Sequence, residues 1–148
     1  MMRKIFFILL FFISSCGYQP IYLNSNIKNF EFEKIALKGD ENINKKIIKT
    51  LSIKENVQKE NKLVILSEVL VEPTSKDSKG KVKSFRTFIS VNFEIKNAED
   101  NTIRKKKFLK SFTYNNKKNK FELVEYQNLV EDNLIGEIIS EIIIFLNS

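Results

Sequence analysis

Phe85-Arg86-Thr87-Phe88-Ile89-Ser90-Val91-Asn92-Phe93-Glu94-Ile95 is the stretch from which the fold is read. Phe85, Thr87, Ile89, Val91, Phe93 and Ile95 alternate with Arg86, Ser90, Asn92 and Glu94, and only Phe88 breaks the alternation. A period of two sets alternate side chains on opposite faces of a strand, so one face here is apolar and has to be buried. Asn97-Ala98-Glu99-Asp100-Asn101 then reads as a hairpin turn. The returning strand runs from 102 to about 114, with Phe108, Phe112 and Tyr114 on one face, where they should meet a core. Residues 115 to 120 form a polar, basic loop, and Asn119 with Glu122 three residues on has capping-box character. Beyond it Tyr126, Val130, Leu134, Ile138, Ile142 and Leu146 form one row at i, i+4, beside Ile135, Ile139 and Ile143. That spacing predicts a helix to the end of the chain, with Glu125, Asn128, Asp132 and Glu141 opposite. Gly136 costs about 1 kcal/mol in mid-helix, a sign either of close approach to the sheet or of a tolerated defect.

Toward the N-terminus, residues 74 to 83 read as a polar loop carrying Lys76, Lys79, Lys81 and Lys83 around Gly80, with Pro73 ending the strand before it. Leu63-Val64-Ile65-Leu66-Ser67-Glu68-Val69-Leu70-Val71 is apolar on both alternating faces, as in a central strand covered on two sides. A polar link, 55 to 61, precedes it. Ile43, Ile47, Ile48 and Leu51 recur at helical spacing behind a candidate N-cap, Asp40, which predicts a short helix from about 41 to 54. Phe30, Phe32, Ile35 and Leu37 predict a first strand with an irregularity near Lys34, ending at Gly39.

The order is β-α-β-β-β-α, an α+β chain. A right-handed parallel crossover joins the first two strands and hairpins join the last three. The expected architecture is a two-layer α/β sandwich, a four-stranded mixed sheet packed by two helices. One face of that sheet is left without a helix. Val64, Leu66, Leu70 and Phe88 are placed there, and a large partner is needed to cover them.

Upstream of this domain the chain changes character. Arg3 and Lys4 precede a run from Ile5 to Ile13 without a polar residue, and Ser14 and Ser15 stand directly before Cys16, the only cysteine. A positive start, a short apolar segment and small residues before a cleavage point are the anatomy of a secretory signal. The run is too short for a bilayer core that needs roughly 20 apolar residues. The small-small-Cys ending resembles the lipobox of bacterial lipoproteins, in which the cysteine sulfur receives a diacylglycerol and, after cleavage, the new N-terminus an acyl chain. A buried, unmodified thiol is the plain alternative, but it does not explain the cationic start or the serines. The chain therefore divides into a signal peptide, 1 to 15, a lipidated tether, 16 to 29, and a single domain, 30 to 148.

Removing the signal leaves 133 residues, enough for one domain with a substantial core. The full chain has 25 Lys and Arg against 18 Asp and Glu; without Arg3 and Lys4 the balance is 23 to 18. A moderately basic exported protein meets phosphates on lipids and lipopolysaccharide rather than on nucleic acid. The sequence holds no histidine, and with Cys16 assigned to lipid the common metal and nucleophile constellations are missing. The scattered glycines make no phosphate loop, and Glu99 and Asp100 sit in a turn where successive side chains diverge. No enzyme, metal or cofactor is expected beyond the covalent diacylglycerol and N-acyl chain on Cys16. Two basic clusters remain: residues 76 to 86 with five positive charges, and Arg104, Lys105, Lys106 and Lys107 at the other end of the hairpin. Each is either a solvated surface or a patch that grips the phosphates of an amphiphile.

Cys16-Gly17-Tyr18-Gln19-Pro20-Ile21-Tyr22, the order of elements, and the stretch 86 to 114 followed by a terminal helix together resemble the LptE family of lipopolysaccharide-assembly lipoproteins. The resemblance spans the mature chain. It implies a two-layer α/β domain lodged in the lumen of the large outer-membrane β-barrel LptD, forming a plug-and-barrel translocon that inserts lipopolysaccharide into the outer leaflet. It implies lipid anchoring on the periplasmic side of the outer membrane, with which Gly17 after the cysteine agrees. It also gives the basic residues an object, the lipid A and core phosphates, with Lys81, Lys83 and Arg86 as first candidates and Arg104, Lys105, Lys106 and Lys107 second. A free-standing lipoprotein that binds another amphiphile or envelope protein is the alternative.

Overall fold

The computed structural model describes residues 29 to 148; the signal segment, Cys16 and nearly all of the tether lie outside the described residues. The elements are β1 (Glu31–Phe32), β2 (Ile35–Gly39), α1 (Glu41–Thr50), β3 (Lys54–Glu55), β4 (Lys62–Lys76), β5 (Val82–Lys96), β6 (Thr102–Asn115) and α2 (Lys120–Asn147). β2, β4, β5 and β6 form a mixed four-stranded sheet in that order, β2 parallel to β4 and the other pairs antiparallel. With its two helices this is the α+β sandwich expected from the sequence.

Both helices pack on one face. Ile47 of α1 and Leu51 just after it, Leu63 and Ile65 of β4, Ile89, Val91 and Phe93 of β5, Phe108 of β6, and Ile138 and Ile142 of α2 are essentially inaccessible. Their burial is the main force that holds the layers together. Phe145 of α2 meets Phe93 and Phe108 edge to face, and Tyr126 meets Tyr114 in the same way, so α2 is anchored near both ends. The crossover is fixed by polar groups. Asp40 caps α1, its Oδ1 accepting from Ile43 N at 2.9 Å. Asn44, buried, donates from Nδ2 to Lys38 O at 2.9 Å, and Ser67 Oγ lies at donating distance from both Asn44 Oδ1 and Asp40 O, 2.9 and 3.0 Å.

Several boundaries differ from the sequence expectations. The first strand is two: the irregularity near Lys34 is a break, and β1 leaves the main sheet to pair in parallel with β3, whose Lys54 the sequence reading takes as the end of the helix and whose Glu55 it takes as the start of the link. α1 stops at Thr50 rather than 54, because Ser52 turns left-handed, φ 49°, and the chain closes with Ser52 N donating to Lys49 O and Ile53 N to Ile48 O. Leu51 and Ile53 are thereby buried. Pro73 does not end β4, which continues to Lys76. β2 pairs only with residues 63 to 67 of β4, so beyond Ser67 the strand is an edge, where a proline is tolerated; the register slips between Pro73 and Ser75. The loop of 74 to 83 shrinks to 77–81, tied by Asp77 Oδ1 accepting from Lys79 N and Lys81 N. Phe112 shares the helix side with Phe108 and Tyr114 but is 47 % exposed, because β6 is an edge strand and the core does not reach it. At Gly136 an added Cβ would meet nothing within 4 Å, which decides against close approach to the sheet.

Candidate interaction surfaces

The face of the sheet turned away from the helices is open. The ladders place Val64 opposite Glu94, Leu66 opposite Asn92 and Leu70 opposite Phe88, all on this face, as their alternation with the buried Leu63, Ile65 and Ile89 requires. Leu109 of β6, in register with Ser90, joins them, 57 % exposed. The sequence reading misses it; its odd-numbered place on β6, opposite in phase to Phe108, is the signal that finds it. The result is a band of apolar side chains across three strands, edged by Glu68 and Glu72 on β4 and by Lys105 and Lys107 on β6. Leu70, Phe88, Ser90 and Leu109 surround a depression of about 280 Å³ rimmed by Glu68, Glu72 and Lys107.

The basic residues do not form one patch. Arg86 pairs in register with Thr113, and Arg104 pairs with Ile95, nine residues further along β5; at about 3.3 Å per residue the two lie about 30 Å apart. Successive side chains of the run 104 to 107 also point to opposite faces. Arg104 lies on the helix side, its guanidinium 4.3 Å from the Phe145 ring centroid, donating to Ser148 Oγ at 2.9 Å and to Phe145 O. Lys106 shares that side, its Nζ 5.1 Å from the Phe108 ring. Lys105 is on the open face beside Glu94, 3.7 Å away, and Lys107 is exposed there without an ion-pair partner among the described residues. Arg86 is also on the open face, its Nε donating to Thr113 Oγ1 at 2.7 Å and its guanidinium 5.8 Å from the Phe88 ring.

Lys81 and Lys83 lie at the other end of the sheet, exposed, and the structure adds companions to them. Asn116 N donates to Lys83 O at 2.7 Å and Asn116 Nδ2 to Val82 O at 2.8 Å. These bonds lay the loop after β6 against the start of β5 and bring Lys117, Lys118 and Lys120 to the same end as Lys79, Lys81 and Lys83. Lys117 Nζ sits 4.5 Å from the Tyr126 ring. Sequence separation hides this convergence, since Val82 and Asn116 are 34 positions apart.

Acidic groups are mostly tied into structure. Lys62 Nζ donates to Asp100 Oδ1 at 3.1 Å, and Asn101 Nδ2 to Glu99 Oε2, so the adjacent acids of the 97–101 turn are spoken for. Lys110 bridges Glu137 at 3.6 Å and Glu141 at 2.5 Å; the Glu141 hydrogen bond is the largest influence raising its pKa. Glu131, on α2, is pushed above the ordinary carboxylate range, first by burial and then by the charges of Asp40 and Asp132. No group of three metal-ligating side chains occurs among the described residues, and no described helix is long and apolar enough to cross a membrane.

No family model matches the sequence, and no curated protein is similar to it by sequence. Solved structures are similar in fold. The rare lipoprotein B of Shewanella oneidensis aligns with a TM-score of 0.57 at 10 % identity, over 77 % of this chain and 93 % of that one. Lipoprotein B of Nitrosomonas europaea aligns with 0.56 at 11 %, over 86 % and 88 %, and a minor lipoprotein of Acinetobacter baumannii with 0.52 at 12 %, over 77 % and 90 %. At such identities the likeness is one of fold: the sandwich seen here is a fold that bacterial lipoproteins use.

Proposed function

We propose that the chain is a non-enzymatic lipoprotein, anchored through Cys16 to the periplasmic side of the outer membrane, whose domain plugs and helps assemble the LptD β-barrel for insertion of lipopolysaccharide. The observation that carries this is the open sheet face. Leu70 and Leu109 are more than half exposed on a band that spans three strands, whereas scattered single apolar residues would need no partner. The inside of a barrel supplies a wall large enough to cover such a face. The lipobox-like start and the fold shared with bacterial lipoproteins support the same reading.

Lipopolysaccharide phosphates are assigned to the end that carries Lys81 and Lys83, with Arg86 on the adjoining open face. Lys105 and Lys107 are the remaining candidates of the second cluster, since Arg104 and Lys106 are engaged on the helix side. The test is an affinity pull-down of the full-length chain from detergent-solubilised membranes, beside Cys16→Ala, with bound proteins identified by mass. One large β-barrel at equal stoichiometry is expected. A chain that fractionates with the outer membrane yet brings down no barrel would make it a free-standing binder of another amphiphile or envelope protein.

A further inference from the structure

Phe121, in the first turn of α2, is 68 % exposed, and Val124, its neighbour one turn on, is 45 % exposed. Neither belongs to the core, and both stand at the end of the domain where the bonds of Asn116 gather the lysines. Residues 76–83 and 117–125 bring seven lysines to that end against three acids, Asp77, Glu122 and Glu125. Asp77 is turned to its own loop, where it accepts from Lys79 N and Lys81 N. None of the seven lysines is in an ion pair among the described residues. A single exposed apolar residue needs no explanation, but an aromatic and an aliphatic side chain set among unpaired cations are the composition of a membrane-surface anchor.

We infer that this end of the domain docks on an anionic phospholipid bilayer, the lysines on its phosphates and Phe121 with Val124 in the boundary between headgroups and acyl chains. The inference goes beyond the barrel reading and shares with it only the lysines of this end and the lipid on Cys16. A dissolved phosphate would engage the lysines and leave Phe121 in water; a bilayer takes both, because hydrocarbon lies directly beneath its phosphates. Long lysine stems let the ammonium groups stay at phosphate level while the ring goes deeper. The reach of the chain allows it. Asn29 leaves the domain beside β1, where Phe30 O accepts from Lys54 N at 2.9 Å and Glu33 N donates to Asn61 O at 2.8 Å, next to the start of β4. That is the opposite end of the sheet: Lys62 is in register with Lys96, and from Lys96 to Ser84 β5 runs about 40 Å. Asn29 is 13 positions from Cys16, and an extended chain of that length spans at most about 43–47 Å. A lipid on Cys16 and the lysine end of the domain therefore reach the same leaflet.

The sequence has no tryptophan, so Phe121→Trp and Ile144→Trp each supply a single fluorescent reporter. Both positions are about two-thirds exposed, 68 % and 67 %, and about 35 Å of helix separates them. The lipidated full-length chain is reconstituted on vesicles of phosphatidylcholine alone or mixed with phosphatidylglycerol, with brominated acyl chains as quencher. The lipid on Cys16 holds every variant on either vesicle, so attachment and docking are read apart. The reporter at 121 should shift to the blue and be quenched on the phosphatidylglycerol vesicles and remain water-like on phosphatidylcholine; the reporter at 144 should remain water-like on both. Lys117→Gln, Lys118→Gln and Lys120→Gln together should lower the ratio of docked to undocked chain about fivefold per lysine, with circular dichroism unchanged. Added salt should undock the chain with its lysines intact, which gives the same reading should the triple variant misfold. A reporter at 121 that stays water-like on phosphatidylglycerol, is quenched equally on phosphatidylcholine, or ignores both salt and the lysine substitutions would overturn the inference. So would a reporter at 121 that moves only when lipopolysaccharide is added, an outcome that leaves the lipopolysaccharide assignment standing. None of these results bears on whether a barrel co-purifies.

Discussion

Three glycines should respond to alanine with three different free energies. Gly39 ends β2 at φ 82°, and an added Cβ there would fall on the Ser67 carbonyl oxygen and lie 2.9 Å from its carbon. That carbonyl cannot withdraw, because it accepts from Asp40 N at 2.9 Å while the Ser67 side chain holds the start of α1. A left-handed non-glycine residue costs about 1–2 kcal/mol and an overpacked contact about 1–3 more, so Gly39→Ala should lose roughly 3–5 kcal/mol. Gly80 has almost the same φ, 79°, but open space around its absent Cβ, so Gly80→Ala should lose only the conformational part, about 1–2 kcal/mol. Gly136 sits in the interior of α2 with nothing near a new Cβ, and Gly136→Ala should gain roughly 1 kcal/mol. Urea unfolding followed by far-ultraviolet circular dichroism measures all three against wild type. If Gly39→Ala and Gly80→Ala lost equal amounts, steric conflict at the crossover would not be what separates them, and the close packing of Gly39 on Ser67 would be refuted.

Arg104→Ala should destabilise the chain by about 1–2 kcal/mol, through loss of the Phe145 stack and the bonds to the end of α2. It should leave lipopolysaccharide binding unaltered, as read by thermal melting beside a lipopolysaccharide pull-down. Lys81→Glu with Lys83→Glu should do the reverse, weakening lipopolysaccharide capture with little change in melting temperature; capture by wild type should fall with added salt. Glu131 binds its proton more tightly folded than unfolded. Its contribution to stability therefore falls as pH rises from the ordinary glutamate value of 4.5 through the raised one. Glu131→Gln should accordingly gain on wild type over that interval in pH-resolved denaturant unfolding, and a constant difference would remove the carboxyl from consideration.

The sandwich was legible because its long elements have clean periods. The alternation around Val91 and the double row of α2 each fix a buried face over many residues, so local errors cannot shift them. What escaped reading depends on pairing rather than pattern. β3 is two exposed residues joined to β1 by main-chain bonds, and neither Lys54 nor Glu55 shows a pattern that could betray them. The end of α1 depends on Ser52 taking a conformation more common for glycine. Pro73 looked like a terminus because its tolerance depends on β2 being too short to pair there. The open face was legible in Val64, Leu66, Leu70 and Phe88, but Leu109 was masked by the lysines before it. The basic clusters illustrate the opposite error. Neighbours in sequence, Arg104 and Lys105, are on opposite faces of the sheet, whereas Lys83 and Lys117 are brought to one end by the bonds of Asn116.

Coverage of the open face in the membrane is the point on which the proposed function turns. Single cysteines at Leu70 and Leu109 on that face, and at Ile144 on the outer side of α2, can be treated with a thiol-reactive probe in permeabilised outer membranes and again after the chain has been stripped of its partner; wild type supplies the background. A barrel wall over the sheet predicts that the cysteines at 70 and 109 react slowly in membranes and rapidly once stripped. Equal and rapid reaction at 70 and 109 in both states would show the face bare in its working environment and contradict the plug.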